Sequence, residues 1–277
     1  MYLGFVFRKL ALMNEKTYTL ITGASMGIGR AFALECASRD MNLILVALPD
    51  QVLEQVKNEI LSENSVDVWI FGVDLTKEGG VFSLFNFCSE KAFRINMLIN
   101  NAGMGAGGKF ENLPLDKYLN IIDLNNKVLV QMTHYFLPVI KREKKGFILN
   151  MSSMEATLPL PYKAVYTASK SFVYAFSLAI REELASEGKV EVSVVCPGPV
   201  VTNPEALKRM KAHGARGKMV AQMPEQVAAM AIRNLLKGKR VTIPGKLNWA
   251  LVKVGKMLPT NLKMNLLERL FRVYRDH

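Results

Sequence analysis

Short apolar runs alternate with longer stretches of helical periodicity along most of the chain. The runs at residues 17–22, 43–47, 66–73, 97–100, 146–151, 190–196 and 240–243 read as strands. Four to eight consecutive apolar or β-branched residues between turn formers suit a strand buried on both faces. Apolar stripes at helical spacing predict helices over 27–39, 50–63, 80–93, 116–144, 166–186 and 224–236. Strands alternating with helices predict a doubly wound parallel α/β sheet of the Rossmann type, three layers deep. No linker or internal repeat divides residues 16–244, which read as a single domain behind an N-terminal arm at 1–15.

Beyond it, residues 245–277 form a tail that is apolar and basic together, with Trp249, Leu251, Val252, Val254, Met257 and Leu258 before Pro259 and Leu262, Leu266, Leu267, Leu270 and Phe271 after it. Two short amphipathic helices are expected there.

Composition changes this picture in two ways. Half of the 277 residues are hydrophobic, enough for a large core without covalent staples. Cys36, Cys88 and Cys196 lie far apart, as do His134, His213 and His277. That spacing offers no metal site and suits a reducing, cytoplasmic compartment.

The net charge is +12, and its location says more than its size. Residues 237–277 hold ten Lys and Arg against Glu268 and Asp276, which is eight of the twelve charges. A second basic stretch holds Lys208, Arg209, Lys211, Arg216 and Lys218. No motif that reads DNA or RNA accompanies them, so nucleic acid is not the expected partner. The tail either packs on the domain or meets an anionic membrane peripherally. An apolar face with clustered Lys and Arg favours the membrane. No apolar run reaches the roughly 18 residues that cross a bilayer. In the arm, the positive charges follow the apolar residues, opposite to a secretory signal.

The first candidate for chemistry is the turn Thr22-Gly23-Ala24-Ser25-Met26-Gly27-Ile28-Gly29, between the first strand and the first helix. Glycines there let backbone approach a pyrophosphate, which the helix N-terminus then holds. The turn lacks the Gly-Lys-Ser/Thr of a P-loop. The second strand ends in Ala47 and Leu48, so the acid that would repel a 2′-phosphate is absent. That tilts the cofactor to NADP(H) over NAD(H), although no arginine stands at the strand end and Asp50 or Arg30 lies near enough to change the balance. A second candidate is Tyr166 with Lys170, four residues apart on one helix face. An ammonium beside a phenol favours the phenolate and would bring a proton-transfer group toward neutral pH.

Several of these residues, in this order, resemble the short-chain dehydrogenase/reductase family over roughly residues 16–242. They are Thr22-Gly23-x-x-x-Gly27-x-Gly29, Asp74-Leu75, Asn100-Asn101-Ala102-Gly103, Asn125, Ser152-Ser153, Tyr166-x-x-x-Lys170 and the run from Pro197 and Gly198 through Val200 to Thr202. The resemblance is to the membrane-leaning branch of 17β-hydroxysteroid dehydrogenases and 3-ketoacyl reductases.

It implies catalytic roles for Asn125, Ser153, Tyr166 and Lys170, with Ser153 preferred to Ser152 for its spacing of thirteen from Tyr166. It implies cofactor contacts at Gly23, Ser25, Met26, Gly27, Ile28, Gly29, Asp74, Leu75, Asn101, Ala102, Gly103, Tyr166, Lys170, Pro197, Gly198, Val200 and Thr202. Ser153 and Tyr166 would hold a substrate carbonyl while hydride arrives from the nicotinamide and Tyr166 delivers the proton. Lys170 would lower the Tyr166 pKa, and Asn125 would fix a water that relays protons. Rival readings are a non-catalytic NAD(P) sensor, which usually abandons the Tyr/Lys pair, and a basic lipid-surface binder.

Residues 203–223, with Met210, Met219, Val220 and Met223, stand where such proteins carry a substrate lid. Met104 and residues 158–162 are expected in the same cleft, and methionine surfaces adapt to apolar ligands. A hydrophobic ketone or alcohol, fatty acyl or steroid-like, is the expected substrate, and a homodimer or tetramer the expected assembly. Glu155 departs from the family pattern, which often has small residues there, and faces either pocket or solvent.

Overall fold

A computed structural model describes residues 16–202 and 220–275. The arm at 1–15 and all but the end of the expected lid at 203–223 lie outside the described residues.

Seven parallel strands form one sheet in the order β3-β2-β1-β4-β5-β6-β7. They are β1 (Thr17–Thr22), β2 (Asn42–Ala47), β3 (Val68–Gly72), β4 (Arg94–Asn100), β5 (Gly146–Met151), β6 (Val190–Val195) and β7 (Val241–Thr242). Every residue of β5 is buried, as its uninterrupted apolar run requires.

Helices α1 (Gly27–Ala37), α2 (Gln51–Glu63) and α7 (Pro224–Leu236) cover one face. Phe32, Leu53, Ile60 and Ile232 there pack onto Ile21, Leu45 and Leu149. Helices α3 (Gly80–Glu90), α5 (Val128–Ile140) and α6 (Ala164–Ala185) cover the other, where Leu84, Met132, Phe136 and Leu184 meet Leu20, Leu98 and Ile148. The strand order turns back between β1 and β4. A parallel sheet opens its ligand crevice at such a point, beyond the carboxyl ends of the strands.

The expected unbroken helix over 116–144 is not observed. It is α4 (Leu115–Ile122), a single π-helical turn over Asp123–Lys127, and then α5. A π turn seats an extra residue in the helix, and here it carries Asn125 into the interior. The tail forms α8 (Lys246–Met257) and α9 (Thr260–Phe271), separated where Pro259 starts α9. Their inner sides, with Asn248, Val252 and Leu267, are buried.

Candidate active site

The glycine turn leaves β1 with Gly23 at φ +65° and Gly27 at φ +56°, left-handed backbone that other residues rarely adopt. A Cβ on Gly29 would collide with the Gly23 carbonyl oxygen, so the turn folds too tightly for any side chain there. Helix α1 begins with no side-chain cap on its first N–H groups. Those groups and the helix dipole make an anion seat, which fits the pyrophosphate of a dinucleotide. Thr202 lies against the turn, 3.1 Å from where a Gly27 Cβ would stand.

The loop after β4 is fastened to this turn. Thr22 Oγ1 accepts from the backbone N–H groups of Asn101 and Ala102, each at 3.0 Å. Asn101 Nδ2 donates back to the carbonyls of Thr22 and Gly23 at 2.9 and 3.1 Å. At the end of β3, the Thr76 hydroxyl donates to Asp74 Oδ1 at 2.6 Å and its N–H at 2.9 Å, holding that carboxyl below the usual range. Asp50 caps α2 through Leu53 N, and Arg30 forms an ion pair with Glu59. Both residues left open for the cofactor preference are thus engaged within the protein.

The turn after β4 runs directly over the catalytic candidates. A Cβ on Gly103 would stand 3.0 Å from Asn125 Oδ1 and 3.1 Å from Lys170 Nζ. One on Gly105 would stand 2.9 Å from Tyr166 Cδ2. Asn125 grips this turn with its whole amide. Its Oδ1 accepts from Met104 N, and its Nδ2 donates to Met104 O and to Ser169 Oγ, all at 2.9 Å. Both amide hydrogens are donated, so the part its side chain plays is to pin the turn beside Lys170. Asn126 instead donates to the Ser169 carbonyl at 2.9 Å. A cavity of about 10 Å³ lies between Thr22, Asn100, Asn125, Met151 and Lys170. That is close to the space of one water, and the buried Asn100 Oδ1 has no hydrogen-bond partner there among the described residues.

The two serines after β5 have different partners. Ser152 Oγ donates to the Lys170 carbonyl at 2.7 Å and anchors α6. Ser153 Oγ accepts from Glu155 N at 3.1 Å and lies near enough to the Tyr166 phenol to act on its pKa. The phenol's pKa is pushed up by burial first and by the charge of Glu155 second, while Ser153 pulls it down. The lowering expected from Lys170 is not among these effects. Lys170 is itself buried, donates to Met151 O at 2.9 Å, and has its pKa brought down by burial to about 8.

Glu155 faces the site. Its Oε1 accepts from Lys163 Nζ at 2.9 Å, and its Oε2 is buried without a partner among the described residues. The Lys163 ammonium lies 4.5 Å from the Tyr274 ring and 5.6 Å from Phe271, both contributed by the tail. Tyr162 holds φ +65° and donates its hydroxyl to Glu268 Oε1 on α9 at 3.0 Å.

The tail reaches the segment after β6 too. Asn248 on α8 packs against Gly198 and donates to the carbonyls of Val220 and Pro244 at 3.1 and 3.2 Å. The loop of Ser153 joins the same segment through Met154 N to Pro197 O at 2.9 Å. Gly105, Lys163, Asn248 and Tyr274 were not among the candidates read from the sequence. Alternating Gly103, Gly105 and Gly107 was the one signal available for the first.

The structure therefore gathers Asn125, Ser153, Tyr166 and Lys170 at the switch-point crevice, near the glycine turn and the segment from Pro197 to Thr202, while Asp74 and Leu75 follow β3 further along the same sheet end. Among the described residues no group of three His, Cys, Asp or Glu side chains assembles a metal site.

The chain matches the short chain dehydrogenase family over residues 17–213. It is 35% identical to human 17-beta-hydroxysteroid dehydrogenase type 3 over 202 residues, covering 71% of this chain and 63% of that protein. It is 33% identical to the very-long-chain 3-oxoacyl-CoA reductase of Bos taurus, covering 69% of this chain and 62% of that protein. The chain thus spans less than two thirds of the length of these relatives. Its fold matches a solved 7β-hydroxysteroid dehydrogenase with a TM-score of 0.83 at 24% identity, covering 92% and 98% of the two chains. A short-chain dehydrogenase from Sphingobium yanoikuyae, solved with NADPH, matches with a TM-score of 0.73 at 26% identity, covering 88% and 97%. The parallel sheet, the glycine turn and the Ser153–Tyr166–Lys170 cluster have their common explanation here: the chain belongs to the short-chain dehydrogenase family.

Proposed function

We propose that this protein interconverts a carbonyl and an alcohol with NADP(H) or NAD(H), and that it reduces a hydrophobic ketone with NADPH. One observation carries the reaction class. The half-buried Tyr166 phenol, with Ser153 acting on its pKa, stands one helical turn before the buried Lys170 at the crevice end of a sheet whose glycine turn fits a pyrophosphate.

When bound, the dinucleotide supplies or accepts the hydride. Gly23 through Gly29 would hold its phosphates, Asp74 and Leu75 its adenine end, and Pro197 through Thr202 its nicotinamide end. Ser153 Oγ and Tyr166 Oη donate to the substrate oxygen, where negative charge grows during reduction. With its pKa raised, Tyr166 stays protonated at neutral pH and gives its proton to that oxygen. In the reverse direction it takes the proton back. Lys170, titrating near 8, replenishes the proton from the buried end.

The preference for NADP(H) rests on the uncharged end of β2, where Ala47 and Leu48 offer no acid to repel a 2′-phosphate. A fatty acyl or steroid-like substrate is supported by the two relatives' names and by Met104, apolar and exposed in the turn that Asn125 holds. A homo-oligomer is supported by Leu119, Ile122, Val130 and Phe172, apolar and exposed on α4 to α6.

Fluorescence titration with NADPH and NADH, followed by a carbonyl panel, tests the reading. Tighter binding of NADPH and turnover of long-chain or polycyclic ketones are expected. Turnover of sugars alone would refute the substrate class. Tyr166→Phe should lose about 10²- to 10⁴-fold in turnover and still bind cofactor. Full turnover by that variant would refute the mechanism.

A further inference from the structure

Helices α8 and α9 are apolar on two sides. Their inner sides face the domain through Val252 and Leu267. Their outer sides repeat the pattern, with no covering element among the described residues. On α8, Leu247, Leu251 and Val254 recur at i, i+4 and i+7, all exposed, with Met257 84% exposed beyond them. On α9, Leu262, Leu266 and Leu270 recur at i, i+4 and i+8, all exposed, followed by Val273. A helix that only covers a core needs one apolar stripe.

Charge identifies what the second stripe meets. Residues 246–275 hold seven Lys and Arg, and Glu268 is their one acid. Glu268 is already bound to Arg272 and to the Tyr162 hydroxyl. A second copy of this face would bring like charges together. An anionic lipid surface complements both features: the leucines enter the acyl boundary, and lysine and arginine stems carry their charges to the phosphates.

We propose that α8 and α9 seat the protein peripherally on an anionic bilayer. Each is 12 residues long, about 18 Å at the helical rise and short of the roughly 30 Å a bilayer core requires. Among the described residues no helix is long and apolar enough to cross a membrane. The seat borders the catalytic crevice. A Gly255 Cβ on α8 would stand 3.1 Å from Leu158, and Tyr274 lies against Gly107 and over Lys163. A ketone dissolved in the bilayer would therefore concentrate beside the loop that leads to Tyr166. That last step rests on the substrate class proposed above, whereas the docking does not.

Co-sedimentation of the full chain with vesicles tests the docking. Vesicles of equimolar phosphatidylglycerol and phosphatidylcholine should bind it, phosphatidylcholine alone far less, and added salt should weaken the binding. Leu266→Glu with Leu270→Glu should lose about tenfold or more of that binding, with turnover of a water-soluble ketone, measured without vesicles, unchanged. Lys253→Gln, Lys263→Gln and Arg269→Gln together should remove the preference for anionic vesicles. Three results would overturn the proposal: no binding to anionic vesicles, equal binding by the Leu266→Glu, Leu270→Glu variant, or a wild-type oligomer that this variant dissociates. Loss of ketone turnover in wild type without vesicles would count against the proposed reaction and leave the docking standing.

Discussion

Lys163 Nζ lies 2.9 Å from Glu155 Oε1, and the charge of Glu155 helps raise the pKa of the neighbouring Tyr166 phenol. The carboxylate thus adds to burial in keeping the phenol protonated. Reduction needs the protonated phenol, so kcat/KM for the ketone falls as pH rises through its pKa. Glu155→Gln removes the carboxylate charge and leaves the Lys163 cation, and both changes favour the phenolate. The alkaline limb of the reductive profile should move to lower pH. Ser153→Ala removes the hydroxyl that lowers the same pKa, so its limb should move to higher pH, with a loss of about 10²-fold or more in rate from the missing donor. Limbs that do not separate in these directions would show that another group controls the profile.

Lys170 carries a cost that folding must offset. Its pKa is brought from 10.5 to about 8 by burial. Between those values the unfolded chain holds a proton that the native chain does not, so this group makes stability rise with pH across that window. Below it, the native state bears the whole penalty of about 3 kcal/mol at ~1.4 per unit. Lys170→Met removes that penalty and a hydrogen bond to Met151 O worth about 1 kcal/mol. The variant should be more stable than wild type by about 2 kcal/mol below pH ~8, and the gain should shrink steadily as pH rises. Cys36 and Cys88, raised to about 12, act in the opposite sense above 9.0 but are common to both proteins. Denaturant midpoints of the pair at several pH values measure the difference. A constant difference would mean Lys170 is not held below its ordinary range.

Much of this arrangement was legible in the order of residues. Buried parallel strands require unbroken apolar runs, so β1, β5 and β6 stand within a residue of the expected ranges. Glycine and proline mark the turns that shape the crevice. Less visible was the π turn at Asp123–Lys127. Helical periodicity continues across one extra residue, and the cause is tertiary: Asn125 bonding Met104 and Ser169 from two other segments. The direction of Glu155 was hidden for a similar reason, because its partner Lys163 lies eight residues away and is fixed by aromatic rings from the tail. Local pattern records which side of an element is apolar. It does not record which distant segment will cover it.

Gly105 gives a sharper test of how tightly the turn after β4 fits the phenol. Its φ is not in the left-handed region, so alanine adds contact rather than backbone strain. The new Cβ would stand 2.9 and 3.0 Å from Tyr166 Cδ2 and Cε2. Gly105→Ala should cost about 1–3 kcal/mol of stability. Because the ring would shift, kcat should fall more than KM changes. Unchanged kcat would show that the ring tolerates displacement and that its position against Ser153 is not critical.

Asn248 and Gly198 can be tested as a pair. A Cβ on Gly198 would stand 2.5 Å from Asn248 Nδ2 and 2.7 Å from its Cγ, so α8 meets the segment from Pro197 to Thr202 without spare room. Gly198→Ala alone should displace either the amide or the backbone, weaken cofactor binding and lower stability by about 2 kcal/mol. Asn248→Ala alone should also destabilise, because the carbonyls of Val220 and Pro244 lose their donor. In the Asn248→Ala background the obstruction is gone, and Gly198→Ala should then cost little. Residues in contact couple in this way, whereas distant ones add. Thermal unfolding and NADPH titration of the four proteins complete the cycle. Additive losses would separate the tail from the cofactor crevice and return α8 to the role of a passive cover.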